Sequence, residues 1–158
     1  MHLDSKKMSR GIQAAAPQLS RGAHSAAAEA IMTTDRHPKE AAIQVKTDTG
    51  NFKIGGMVKG AGMIDPLMAT MLGFLTTDAI VDPVVLRRAL TEVAADTFNS
   101  ITVDGESSTN DTVFMLANGV SKVRIDEITY PIFLNALHNL CEGLAKDIVR
   151  GGEGATKL

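Results

Sequence analysis

The chain has one cysteine, no tryptophan, one tyrosine and five phenylalanines. A lone Cys141 cannot close an intramolecular disulfide, so a packed core must hold the fold, and a reducing compartment is expected. Aromatic residues make up only 4% of the chain, which leaves aliphatic side chains to supply that core. Neither sign of charge dominates. Sixteen Lys and Arg face 18 Asp and Glu, for a formal net charge of -2. A nucleic-acid surface needs a basic field, and none is encoded. No apolar run approaches the ~20 residues of a membrane-spanning helix. Met1 to Lys7 carries two lysines with no apolar segment behind them, unlike a secretory signal. The expectation is a cytoplasmic protein without nucleic-acid or membrane partners.

What is present is ordinary for a globular domain: 158 residues, 44% hydrophobic and 22% charged. A single domain, 1–158, can bury a sizeable core at this length. Residues 8–16 and 23–32 read as helices, the second with Ala23, Ala26, Ala27, Ala30 and Ile31 on one stripe. Residues 41–47 alternate like a half-buried strand. Asp48-Thr49-Gly50-Asn51 is turn chemistry, and 52–58 supplies the partner strand of a hairpin. Residues 59–69 form a glycine-rich loop, followed by an apolar run at 70–76 that suits a buried strand. Asp82 caps a helix with Pro83 at its first position and Leu86, Leu90 and Val93 on its apolar face. A short strand at 101–103, a polar loop at 104–111 and a strand at 112–117 follow. Residues 129–149 make the longest helix, with Ile132, Ala136, Leu140, Leu144 and Ile148 at four-residue spacing. Strands alternating with helices predict an α/β (α+β layered) fold.

Common chemical motifs are absent. Gly60-Ala61-Gly62 starts like a dinucleotide loop but lacks the last glycine and precedes a strand. No phosphate loop and no Gly-x-Ser-x-Gly elbow occur. The Asp104 loop carries oxygen donors at alternate positions, yet Thr109 stands where a calcium loop needs glycine. His2, His24, His37 and His138 have no paired metal spacing and read as surface residues, so no metal is expected. Cys141 lies among Leu137, Leu140 and Leu144 and reads as a small core residue.

The segment from Lys59 to Phe74 leaves two readings open. Thr70 can be a β-branched residue that starts a strand. It can also be a nucleophile delivered by the flexible loop. A threonine hydroxyl needs a base beside it, and a cut just before Thr70 would create one, its own α-amino group. That amine titrates near ~8, where it can accept the hydroxyl proton. Thr70 Oγ could make the cut itself by attacking the Ala69 carbonyl, and small Ala69 with the loop glycines would tolerate the strain. Lys59 could hold a carboxylate or be a solvated lysine. Thr33-Thr34-Asp35 could edge a polar pocket or form a turn. Glu153, in a glycine-rich turn, could be a site carboxylate or a surface charge. Residues 104–112 could line a site, although such side chains usually serve their own backbone.

Several stretches, in this order, resemble one family. They are Glu29 to Asp35 (Glu-Ala-Ile-Met-Thr-Thr-Asp), Pro38 to Ala41, Ile54 to Ile64, Met68-Ala-Thr-Met-Leu72 and Thr76-Thr-Asp78. Phe98-Asn99, Ile101 to Gly105, Ser108 to Thr112, Leu116 to Gly119 and Gly152-Glu-Gly-Ala-Thr-Lys157 continue the series. The chain is thereby similar to the glutamate N-acetyltransferase/ornithine acetyltransferase (ArgJ) family from about residue 22 onward. The resemblance implies an N-terminal-nucleophile-type sandwich of sheets and helices, of which this is a central part, incomplete at both ends. It implies self-cleavage between Ala69 and Thr70, with 1–69 ending an α-chain portion and 70–158 starting a β-chain portion. Thr70 would take acetyl from N2-acetylornithine and pass it to glutamate. Thr33, Lys59, Thr70 and Glu153 match substrate-contacting positions. No tightly bound cofactor is implied, and some members accept acetyl-CoA as donor. The pieces would assemble as a heterotetramer-like oligomer. The family's oxyanion-hole Thr-Gly pair lies upstream of this segment, further binding residues lie downstream, and one lost oxyanion donor costs ~10²–10³ in rate. Asp65 departs from the neutral small residue expected in the cleavage loop. Two other classes stay open: a self-cleaving aminopeptidase or amidohydrolase, in which water replaces glutamate, and an inert fragment with exposed apolar surface.

Overall fold

The turn at Asp48-Thr49 folds the chain back on itself, and Gly50 takes φ 141°, which side-chain-bearing residues rarely adopt. The computed structural model describes residues 3–65, 70–106 and 110–155. Strands β1 (Lys39–Thr47) and β2 (Gly50–Lys59) pair antiparallel from Thr47↔Gly50 to Lys39↔Val58. Strand β3 (Leu72–Thr77) runs antiparallel to β2, and β4 (Thr112–Ala117) runs parallel to β3 with Leu72 opposite Thr112. The sheet order is β1-β2-β3-β4.

Helices α1 (Ser5–Ala15) and α2 (His24–Ala30) precede the sheet; α3 (Pro83–Asp96) lies between β3 and β4; α4 (Tyr130–Arg150) follows. Asp82 caps α3 as the sequence predicts, its carboxylate accepting the Val84 N–H at 2.8 Å. Helix α4 lies across β1 and β2 and packs against α3. The core sits between α4 and one face of the sheet. Phe52, Ile54, Val58 and Leu75 on the sheet and Phe133, Leu137, Leu140, Leu144 and Ile148 on α4 are all buried. The period of two puts Ala42, Met57, Phe74, Phe114 and Leu116 on the other face, where Phe114 and Leu116 stay 52% and 61% exposed. This is the expected α/β layering, with one sheet among the described residues.

The structure corrects four expectations. Of the predicted row Ala136, Leu140, Leu144 and Ile148 are buried, but Ile132 is 41% exposed, and Phe133, Leu137 and Cys141 are buried beside the row. A strict four-residue row drifts about 40° per step around a 3.6-residue helix, so Ile132 falls off the face that Leu144 and Ile148 occupy. In α2 the buried residue is Ala28, not the stripe of Ala23, Ala26, Ala27, Ala30 and Ile31. Alanine marks helix propensity and says little about which side is covered. Residues 101–103 form no strand: the Val103 N–H donates to the Ile64 carbonyl at 2.9 Å and the Thr102 hydroxyl to the same oxygen at 3.0 Å. Strand β3 begins at Leu72 rather than at residue 70, because Thr70 has left-handed φ.

Candidate active site

Lys59 is the last residue of β2 and is only 8% exposed. Its Nζ donates to Thr33 Oγ1 at 3.1 Å, and among the described residues no carboxylate lies within ion-pair distance of it. A buried ammonium without a counter-ion is costly unless something anionic arrives. The turn before β1 holds Thr33 in place: its N–H donates to Asp35 Oδ2 at 3.1 Å. Asp35 Oδ1 accepts from the Gly60 N–H at 2.8 Å and from Lys39 Nζ at 2.6 Å. Burial alone would raise the Asp35 carboxyl, but Lys39 and the Gly60 and Thr33 amides outweigh it and hold the group below its ordinary value.

Loop 60–65 is fixed on both sides. The Glu153 N–H donates to the Ala61 carbonyl at 2.8 Å. A Cβ on Gly62 would come within 3.4 Å of Glu153 Cδ and of an Asp104 oxygen, so glycine lets both carboxylates approach the loop backbone. Asp104 in turn accepts the Met63 and Ile64 N–H groups. The polar loop thus serves the neighbouring backbone, with no calcium-like geometry required.

Thr70 stands at the head of β3 with φ 33°, an outlier for a β-branched residue. Its Oγ1 is buried and has no hydrogen-bond partner among the described residues. The next amide, Met71 N–H, donates to Asp111 Oδ1 at 2.6 Å, while Asp111 Oδ2 is likewise buried without a partner. Burial pushes the Asp111 carboxyl up, against the opposing pull of the Met71 amide and the Lys59 charge. Met71 is also where Thr70 meets the loop, since a Cβ on Gly60 would lie 3.6 Å from Met71 Cβ.

The structure therefore brings Thr33 and Lys59 into direct contact. Glu153 is exposed and meets the loop at Ala61 and Gly62, and Thr70 stands next to Met71, with neither in contact with Lys59 or Thr33 among the described residues. Ala69, the predicted partner in the cleavage, lies outside the described residues, as do Pro66 to Met68. Lys39 and Asp111 were not singled out by sequence reasoning. Lys39 reads as a strand-edge lysine, and Asp111 as one more polar residue in a polar loop. Cys141 is fully buried, and burial raises its thiol to about 12, which fits the core reading. A cavity of about 410 Å³ lined by His24, Glu40, Met57 and Phe74 lies on the outer sheet face and includes none of Thr33, Lys59, Thr70 or Glu153.

These observations define an α/β protein in which β2 ends at the buried Lys59 before a glycine-rich loop and β3 is preceded by Thr70 with its left-handed φ. The ArgJ family model matches residues 1–158, and the chain belongs to the ArgJ family. It is 52% identical over 155 residues to the arginine biosynthesis bifunctional protein ArgJ of Symbiobacterium thermophilum, covering 96% of this chain and 39% of that protein. It is 53% identical over 134 residues to the glutamate N-acetyltransferase of Methanocaldococcus jannaschii, covering 84% of this chain and 33% of that protein. A crystal structure of an arginine biosynthesis bifunctional protein ArgJ from Bacillus halodurans aligns with a TM-score of 0.49 at 45% identity, over 52% of this chain and 39% of that one. The chain thus spans 39% and 33% of the lengths of the two curated relatives.

Proposed function

We propose that this segment carries the catalytic core of a self-cleaving acetyltransferase that moves acetyl from N2-acetylornithine to glutamate through Thr70. The observation that carries this reading is the Thr70 hydroxyl: buried, without a hydrogen-bond partner among the described residues, and held at a backbone angle its side chain disfavours. Strain of this kind costs ~1–3 kcal/mol and persists where neighbours enforce it. In the first step Thr70 Oγ bonds to the Ala69 carbonyl carbon as the C–N bond breaks, the hydroxyl proton passing to the nitrogen. That shift frees the α-amino group of Thr70, and water then hydrolyses the ester, releasing the Ala69 carboxylate and restoring the Thr70 hydroxyl. That amine serves as general base when Thr70 Oγ attacks the acetyl carbonyl of acetylornithine. Ornithine leaves, and the amine of glutamate takes acetyl from acetyl-Thr70.

The remaining site residues suit this chemistry. Lys59 offers a desolvated cation for the α-carboxylate that both substrates share, with Thr33 beside it. Glu153, exposed beside Gly62 of the loop, offers a carboxylate suited to a cationic amine of the substrate. The names of the relatives, glutamate N-acetyltransferase and arginine biosynthesis bifunctional protein, support the same substrates. On this reading the protein acts in the cytoplasm without a tightly bound cofactor and accepts acetyl-CoA as a second donor. Residues 1–69 and 70–158 stay together in one domain after the cut, and such units pair into a heterotetramer-like oligomer.

The test is the intact mass of the purified chain beside a Thr70→Ala control, before and after mixing with N2-acetylornithine. Pieces ending at Ala69 and starting at Thr70, seen only in the parent, together with an acetyl adduct on the second piece, are the expected result. A cut chain that never acquires the adduct would sink the acetyl-transfer reading. Turnover that glutamate does not accelerate would move the protein to the hydrolases.

A further inference from the structure

A charged pair sits beneath the Thr33–Lys59 contact with no part in the chemistry above. The side chains of Lys39 and Asp35 are 0% and 1% exposed and meet at 2.6 Å. Buried ion pairs seldom stabilise a fold more than apolar side chains of the same size would, so a pair kept in this position calls for another explanation. Every contact of this one leads to the site. One Asp35 oxygen holds the Gly60 N–H, the first amide after Lys59, and the other holds the Thr33 N–H. The far end of Lys39 lies under Gly151, where a Cβ would stand 2.9 Å from Lys39 Cε and 3.1 Å from Nζ. Two residues further on, Glu153 bonds to the Ala61 carbonyl. Three separate stretches of chain, at residues 33, 59–61 and 151–153, are thus joined at one buried charge pair.

We propose that Asp35 and Lys39 are positioning residues that set the spacing between Lys59 and Thr33, and so the selectivity of this site for a ligand carboxylate. Asp35 fixes both arms: it anchors Thr33 by its own backbone amide and the Lys59 end of β2 by the next amide along. Two long or mobile polar groups are thereby presented as one pre-organised donor pair, which lowers the entropy lost when a carboxylate binds. Lys39 supplies the charge that keeps Asp35 ionised, and Gly151 leaves the room that Lys39 needs. The inference rests on the reading of Lys59 as the carboxylate-binding cation.

The experiment is a calorimetric titration with N2-acetylornithine and with its α-carboxamide, on the parent chain, Lys59→Ala and Asp35→Asn/Lys39→Met. The double variant removes both buried charges together and so avoids leaving one unpaired. The parent should prefer the acid by tenfold or more, and Lys59→Ala should abolish that preference. The double variant, still folded by its amide spectrum, should also lose the preference while binding the carboxamide as the parent does. A merely structural role would weaken both ligands alike. Retention of the full acid preference in the folded double variant overturns the proposal. If the double variant does not fold, Gly151→Ala, which keeps both charges and displaces Lys39, takes its place with the same two outcomes. A parent that binds neither ligand counts against the acetyltransferase reading itself. The positioning role is then read from Gly60 amide exchange: loss of protection in the variant supports it, and unchanged protection overturns it.

Discussion

Thr70 illustrates how a side chain can be held against its own preference. Its φ is 33°, and it stands next to Met71, whose amide is tied to Asp111 and whose carbonyl accepts the Thr112 N–H at 3.2 Å. Thr70→Gly removes the strain and the nucleophile together. The expected outcome is loss of self-cleavage with a gain of up to about 1 kcal/mol in stability, measured by intact mass and by urea unfolding. Lys59 is held at a similar cost, as a buried cation with a hydroxyl partner and no carboxylate within ion-pair distance among the described residues. Lys59→Met should stabilise the ligand-free chain by about 1 kcal/mol in the same unfolding measurement and remove its preference for substrates with a free carboxylate. The buried Asp35 and the half-buried Asp111 respond to pH in opposite directions. Asp35 is held below its ordinary value of 3.8, so its contribution to stability is present above that value and is lost as pH falls through the folded one. Asp111 is raised, so its contribution is present at low pH and fades as pH rises through its folded value. Replacing Asp35 together with Lys39 should therefore flatten the acid limb of a stability-against-pH curve, and an unchanged acid limb would show that the pair has no such role.

Among the elements, the contact between α4 and the sheet is the most tightly specified. Gly56 lies on the inner face of β2, where a Cβ would come within 2.5 Å of Leu75 Cδ2 and 3.2 Å of Leu144 Cδ1. The glycine there lets α4 lie close on β2, so a strand former at this position would push the helix away. Gly56→Ala should cost about 1–3 kcal/mol by overpacking, read as a lower urea midpoint with an unchanged slope. Because α4 ends at Gly151 above Lys39, a displaced helix would also move Glu153, and the variant should lose more ligand affinity than stability alone accounts for.

Across the whole molecule, the two faces of the sheet differ. One carries the core. The other exposes Phe114 and Leu116, with the Phe74 and Phe114 rings stacked at 5.8 Å between centroids. Contiguous exposed apolar surface promotes association. Phe114→Lys with Leu116→Lys should reduce binding of an apolar dye and shift light scattering toward the monomer, without changing the unfolding midpoint by more than about 0.5 kcal/mol. Equal scattering from parent and variant would show that this face does not drive self-association.

The sequence by itself determined the elements whose signals are local. Asp48-Thr49-Gly50 marked the hairpin, Asp82-Pro83 the start of α3 and the apolar repeat the length of α4, because turn chemistry, capping and periodicity act over a few residues. The ordered motifs likewise point to Thr33, Lys59, Thr70 and Glu153 as candidate site residues. Only the tertiary structure decided what those residues touch. Asp35 and Lys39 lie four residues apart, but Gly151 is far along the chain, and nothing in its own neighbourhood says that it meets them in one buried cluster. Ile132 and Ala28 show the same limit within a helix, where composition predicts the helix but the packing partner selects the buried side. The Thr70 hydroxyl is the clearest case. Threonine at the head of an apolar run reads equally as a strand residue or as a nucleophile delivered by the loop, and only the tertiary structure shows its left-handed φ and a buried hydroxyl without a hydrogen-bond partner among the described residues.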